Sequence, residues 1–155
     1  SLEFACRVAG SKLIVVLGHS NCGAIKGACD HLEMGSLTEL LSKIQPAVYE
    51  ETLTTEVDKR NSKNYAFVEN VAALNVKRSV KSIINRSYIL EQMIEKGEIA
   101  IIGGKHNLET GLVEFFDDTW MHSIKTIEQQ LKKTATLRSD GAMGKSETAE
   151  RIVIK

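Results

Sequence analysis

Residues 12–24 constrain the fold more than any other stretch of the chain. Leu13, Ile14, Val15, Val16 and Leu17 form one continuous apolar run. It is too short for a free-standing helix and is rich in β-branched residues, so it reads as a buried strand. Gly18 and Gly23 bracket the turn that follows, where glycine is expected to supply backbone geometry that other residues resist. A helix is predicted to begin near Gly23 and run to about His31. His19 and Cys22 lie three residues apart on the turn between strand and helix, and chemistry is expected there first.

The rest of the chain is read around this unit. Leu2, Ala5, Cys6 and Ala9 fall on one face of a short helix, with Gly10 as its stop. That helix starts at once from Ser1, without a methionine or cap, so the expectation is a fragment or a processed chain. Ser36 and Glu39 have the spacing of a capping box, opening a helix whose apolar face is Leu37, Leu40, Leu41, Ile44 and Val48. Pro46, the only proline, should break it. Residues 52–63 are polar and aperiodic, an exposed connection. A helix follows from Asn64, with Phe67, Val71, Leu74, Val80, Ile83 and Ile84 as core positions. Ser87 caps another helix, ended by Gly97. Residues 98–104 form a second buried strand, residues 105–111 a turn, and residues 112–116 a third, shorter strand near a sheet edge. Met121, Ile124, Ile127 and Leu131 predict a last helix. Residues 134–149 are polar and expected to be mobile, and residues 151–155 have a weak strand pattern. Continuous apolar strands separated by helices predict an α/β fold with a mostly parallel sheet flanked by helices. Two long strands are few for such a sheet, a second sign of missing chain.

Lys+Arg and Asp+Glu both number 20, so there is no basic surplus to support a nucleic-acid or anionic-membrane partner. No apolar run is long enough to span a bilayer, and no signal peptide is visible. The three cysteines, Cys6, Cys22 and Cys29, form no disulfide framework and fit a reduced, cytoplasmic protein.

Three chemistries compete for the turn. A neutral imidazole and a thiolate are ligands that Zn²⁺ prefers, and a turn can aim both at one point. Cys22 is alternatively a nucleophilic or redox thiol activated by His19 and by a helix N-terminus. The plainest alternative is a buried thiol beside a capping histidine. The spacing from Gly18 to Gly23 imitates a phosphate loop, but Ala24 stands where a lysine is needed. The segment also fails as a serine-nucleophile elbow, because Cys22 replaces the second glycine.

Residues 1–5 and 12–28, with Gly18-His19-Ser20-Asn21-Cys22-Gly23-Ala24 at their centre, closely resemble the β-class carbonic anhydrases. The similarity continues through residues 37–48, 70–72, 75–76, 97–103 and 109–113. It defines a carbonic-anhydrase-like domain over residues 1–118, with a polar helical or mobile tail over 119–155. The resemblance implies a zinc held by His19 and Cys22 together with a cysteine from an upstream C-x-D-x-R motif. The Asp and Arg of that motif are the catalytic pair, and no such motif occurs in this sequence. The implied fold is a partial β-carbonic-anhydrase-like one that lacks the first strands. Cys6 and Cys29 are expected to be buried small hydrophobes rather than substitute ligands. His106 should lie near the site without being a ligand, and His31 and His122 should be solvated helix residues.

The activity implied is reversible hydration of CO₂ to bicarbonate, in a homodimer or higher oligomer when complete. With two of three protein ligands, the 155-residue chain is expected to have little activity alone. The competing expectation is a non-catalytic binding or scaffold module of a larger protein.

Overall fold

The computed structural model describes residues 1–123. The elements in chain order are α1 (Leu2–Arg7), β1 (Leu13–His19), α2 (Gly23–Cys29), α3 (Gly35–Ser42), α4 (Gln45–Glu50), a 3₁₀ turn (Val57–Lys59), α5 (Tyr65–Arg86), α6 (Tyr88–Glu95), β2 (Ala100–His106) and β3 (Val113–Met121). The strands form one sheet in the order β1-β2-β3. β1 and β2 are parallel, with Leu13 opposite Ala100 and His19 opposite His106. β3 is antiparallel to β2, so the sheet is mixed.

Local signals placed several of the helix ends. The Asn64 side chain accepts from the Phe67 N–H to start α5, and Ser87 accepts from the Leu90 N–H to start α6. Gly97 takes φ +70° after α6 and Gly10 takes φ +81° after α1, as chain reversal there demands. Pro46 occupies the first turn of α4, so the helix predicted through residues 37–48 divides into α3 and α4.

Two apolar clusters fill the interior. One joins Ile25, Ala28, Cys29, Leu41, Ile44, Ala47 and Val48 to Phe67, Val68, Val71 and Ala72 of α5. The other joins Cys6, Ile14, Ile99 and Ile101 to Val80, Ile84, Leu90, Met93 and Ile94. Helix α5 is common to both and packs on β1 and β2. Its close approach rests on glycine. A Cβ on Gly18 would meet Val76 Cγ2 at 2.7 Å, and one on Gly103 would meet Val76 Cγ1 at 2.8 Å.

Several expectations are corrected. The Ser36–Glu39 capping box does not form. Helix α3 begins at Gly35, which places Ser36 inside its first turn. The Thr38 hydroxyl accepts from the Met34 N–H, and Glu39 pairs with Lys43. Of the predicted α3 face, Leu40 is half exposed while Leu41, Ile44 and Val48 are buried. The third strand is the longest, not the shortest, and Met121 belongs to it, opposite Ile101, rather than to a helix. Its register shifts between Ile101 and Gly103, where the buried Thr119 hydroxyl accepts from the Gly103 N–H at 2.7 Å and donates to the Phe116 carbonyl at 2.6 Å. A side chain thus stands in for a ladder partner beyond the polar Asp117-Asp118 interruption. His31 and His122 are exposed but not helical. His31 follows α2 at φ +51° with its ring against Tyr49, and His122 follows β3 with Nδ1 3.3 Å from the Ile99 carbonyl. The connection over residues 52–63 is largely exposed, as expected, but it sends one charged side chain inward. Arg60 turns inward to Glu51, whose side chain is 1% exposed, and to the carbonyls of Val48, Glu51 and Thr54. The helix predicted through Ile124, Ile127 and Leu131, the polar stretch 134–149 and the strand pattern at 151–155 lie outside the described residues.

Candidate metal centre

Strand β1 ends at His19, and Cys22 is the residue from which α2 starts, its carbonyl accepting the first helical hydrogen bond from the Lys26 N–H. In an open α/β sheet this carboxyl end of the strands is where ligands bind. His19 and Cys22 line a single cleft of about 190 Å³ with Leu17, Gly18, Ile25, Ile44, Ala72, Asn75 and Val76. Its walls are apolar, and its polar side chains are an imidazole, a thiol and one carboxamide.

The turn between the two residues is built in three steps. The Ser20 N–H donates to the His106 carbonyl at 2.9 Å, extending the β1–β2 ladder by one bond. The Ser20 side chain is buried, and its Oγ accepts from the Leu108 N–H at 3.0 Å. Asn21 then takes φ +57° and reverses the chain into α2. The left-handed geometry therefore falls on Asn21, a residue that tolerates it, and not on Gly18 or Gly23 as expected from sequence. Gly18 is needed instead for space beneath Val76.

His19 Nδ1 lies 2.9 Å from the Ser20 carbonyl oxygen. A carbonyl only accepts, so Nδ1 carries the hydrogen and the Nε2 lone pair is left for a ligand. Cys22 is half-buried at the cleft, whereas Cys6 and Cys29 lie in the two apolar clusters. Burial pushes both of those thiols up, Cys29 to about 11, and neither lines the cleft that holds His19 and Cys22. The imidazole and thiol thus fit zinc at two of its positions. Among the described residues no group of three His, Cys, Asp or Glu side chains is placed to hold a metal ion. His106 ends β2 level with His19, at the same sheet edge.

Around the turn lies a polar network that sequence patterns did not mark. Glu69 of α5 forms a largely buried ion pair with Lys105 of β2 at 2.9 Å, and its other oxygen accepts a long hydrogen bond from the Asn21 N–H at 3.4 Å. Lys26 donates to Asn21 Oδ1 at 3.2 Å.

The carbonic anhydrase family profile matches residues 1–113. A carbonic anhydrase of Mycolicibacterium smegmatis is 31% identical over 114 residues, which are 74% of this chain and 53% of that protein. Carbonic anhydrase 2 of Mycobacterium tuberculosis is 28% identical over 116 residues, 72% of this chain and 52% of its own length. Among solved structures, two β-carbonic anhydrases share the fold. The Coccomyxa protein in complex with acetazolamide has a TM-score of 0.67 and 19% identity, covering 90% of this chain and 63% of that one. A tetrameric protein from Sordaria macrospora has a TM-score of 0.60 and 26% identity, covering 75% of this chain and 57% of that one.

The chain belongs to the β-class carbonic anhydrase family. It spans about half the length of the curated relatives it matches. The match includes α1, β1, the His19–Cys22 turn, all helices through α6 and β2, and reaches the start of β3. No helix among the described residues is long and apolar enough to cross a membrane.

Proposed function

We propose that this chain carries the histidine–cysteine half of a β-carbonic anhydrase zinc centre, and that the protein it represents hydrates CO₂ reversibly to bicarbonate. The observation that carries this reading is that His19 and Cys22 share one small apolar-walled cleft at the carboxyl end of β1. Zinc, when bound, supplies Lewis-acid chemistry that makes water a nucleophile near neutral pH.

The remaining roles belong to the chain itself. The Ser20 carbonyl fixes the His19 tautomer that presents Nε2. Cys22 supplies a thiolate from the start of α2. Leu17, Ile25, Ile44, Ala72 and Val76 offer an uncharged small molecule an apolar surface in place of water. The third protein ligand and the Asp–Arg pair of the family's upstream motif have no counterpart in this sequence. The 155-residue chain alone is therefore expected to hydrate CO₂ poorly. A dimer or higher oligomer and a cytoplasmic setting belong to the same proposal.

The two-donor set favours one second reading, a non-catalytic carbonic-anhydrase-like binding module of a larger protein. Stopped-flow CO₂ hydration with added zinc, alongside zinc stoichiometry, separates the outcomes. Zinc binding lost in His19→Ala and Cys22→Ser, with little hydration, supports the half-site. A rate at or above a few per cent of a complete enzyme's overturns the claim that the chain alone is poor. Zinc binding indifferent to both substitutions refutes the site.

A further inference from the structure

We infer that Glu69, clamped by Lys105, is the positioning residue that holds His19 and Cys22 at one point before any metal arrives. This rests on the zinc-site reading above. The two donors sit on either side of Asn21, and the direction in which each leaves the turn depends on the φ of +57° at that residue. Asparagine tolerates the left-handed region, so how firmly the turn is held depends on the contacts around Asn21. Asn21 is held from two elements at once. Its N–H donates to Glu69 Oε1 of α5, and its Oδ1 accepts from Lys26 Nζ of α2.

Glu69 is itself fixed. Its side chain is 12% exposed, that of Lys105 is 21% exposed, and they meet at 2.9 Å. A carboxylate so far out of water stays where its counter-ion is, so the pair behaves as a rigid strut from β2 through α5 to the turn. Lys105 stands opposite Gly18 in the β1–β2 register, one residue before His106, whose carbonyl accepts from the Ser20 N–H. Glu69 also precedes Ala72 and Val76, two cleft-lining residues, by three and seven positions, on the same face of α5. One ion pair therefore ties together the strand that ends beneath the turn, the helix that walls the cleft, and the peptide between the two donors. Because Glu69 acts through Asn21 and is not itself a ligand, its removal should loosen the site without removing a donor.

The test uses the 155-residue chain titrated with Co²⁺, whose thiolate charge-transfer band reports Cys22 ligation. It is paired with amide hydrogen exchange at Asn21 without metal. Glu69→Ala should weaken Co²⁺ binding by about 10- to 100-fold, the usual effect of losing a group that orients a ligand. It should also speed exchange at the Asn21 amide, which donates to Glu69, while urea unfolding stays cooperative. Glu69→Gln keeps an acceptor for Asn21 but loses the ion pair with Lys105, and Lys105→Met loses the same pair, so both should fall between Glu69→Ala and the unaltered chain. Co²⁺ affinity within twofold of the unaltered chain in Glu69→Ala, or exchange unchanged there, overturns the inference. If the unaltered chain gives no thiolate band, or gives one that survives Cys22→Ser, the zinc-site reading fails instead, and the exchange comparison still decides whether Glu69 holds the turn.

Discussion

Adding one methyl group at Gly103 should push α5 off the sheet. A Cβ there would lie 2.8 Å from Val76 Cγ1, 3.2 Å from Thr119 Oγ1 and 3.3 Å from Val80 Cγ2. Val76 and Val80 are β-branched residues in the middle of a helix, where a single χ1 rotamer dominates, so neither methyl can swing aside. The helix itself must move. Overpacking of this kind costs about 1–3 kcal/mol. Gly103 does not have a positive φ, so alanine also stiffens the unfolded chain and returns about 0.4–1 kcal/mol. Gly103→Ala should therefore destabilise by up to about 2.6 kcal/mol net. At about 2–4 °C per kcal/mol for a chain of this size, the unfolding midpoint falls by up to roughly 10 °C. Val76→Ala alone loses two methyl groups, about 1.5 kcal/mol of burial, before any cavity contribution. In the double variant the new methyl enters the space that Val76 leaves. Urea unfolding followed by circular dichroism should then show the double variant about 0.5–3 kcal/mol more stable than the sum of the single effects. Additivity within about 0.3 kcal/mol would refute the idea that glycine sets the helix–sheet distance. Because Val76 also lines the cleft, Gly103→Ala should weaken metal binding along with stability.

Three further outcomes follow from other parts of the molecule. Arg60→Met should cost about 3–5 kcal/mol in urea unfolding, because it strands the buried Glu51 carboxylate, whose remaining partners are Asn70 and Thr54. Iodoacetamide applied to the native chain should label Cys22 alone, with Cys6 and Cys29 reacting only in denaturant; native labelling of Cys29 would contradict its burial. The Cys29 thiol is raised from 9.0 to about 11, so its folded form stays neutral after the unfolded one ionises. Its contribution is complete below pH 9 and is lost as pH climbs toward 11, so Cys29→Ala should flatten the alkaline fall in stability over that window.

The sequence by itself determined the elements whose signals are local. The apolar run Leu13–Leu17 falls in β1, although the strand buries only Ile14 fully and leaves Leu13, Val15 and Leu17 exposed; a helix follows Asn64, Ser87 is a helix cap, Pro46 and Gly97 are breaks, and His19 and Cys22 stand at the strand–helix turn. Each depends on residues within a turn or two along the chain, where periodicity and backbone preference act directly. What the sequence left open depends on partners far along the chain. The length of β3 was hidden because Asp117-Asp118 breaks its apolar pattern, and only contact with Gly103 shows Thr119 carrying the strand past the break. The inward turn of Arg60 and the placing of Glu69 against Asn21 and Lys105 were equally invisible, since a charged side chain in isolation reads as solvated. The sequence named the two donors at the turn. Only the tertiary structure decided that the backbone freedom belongs to Asn21, that Gly18 is required for close packing, and that both donors open into one cleft, because those facts depend on how α5 lies on the sheet.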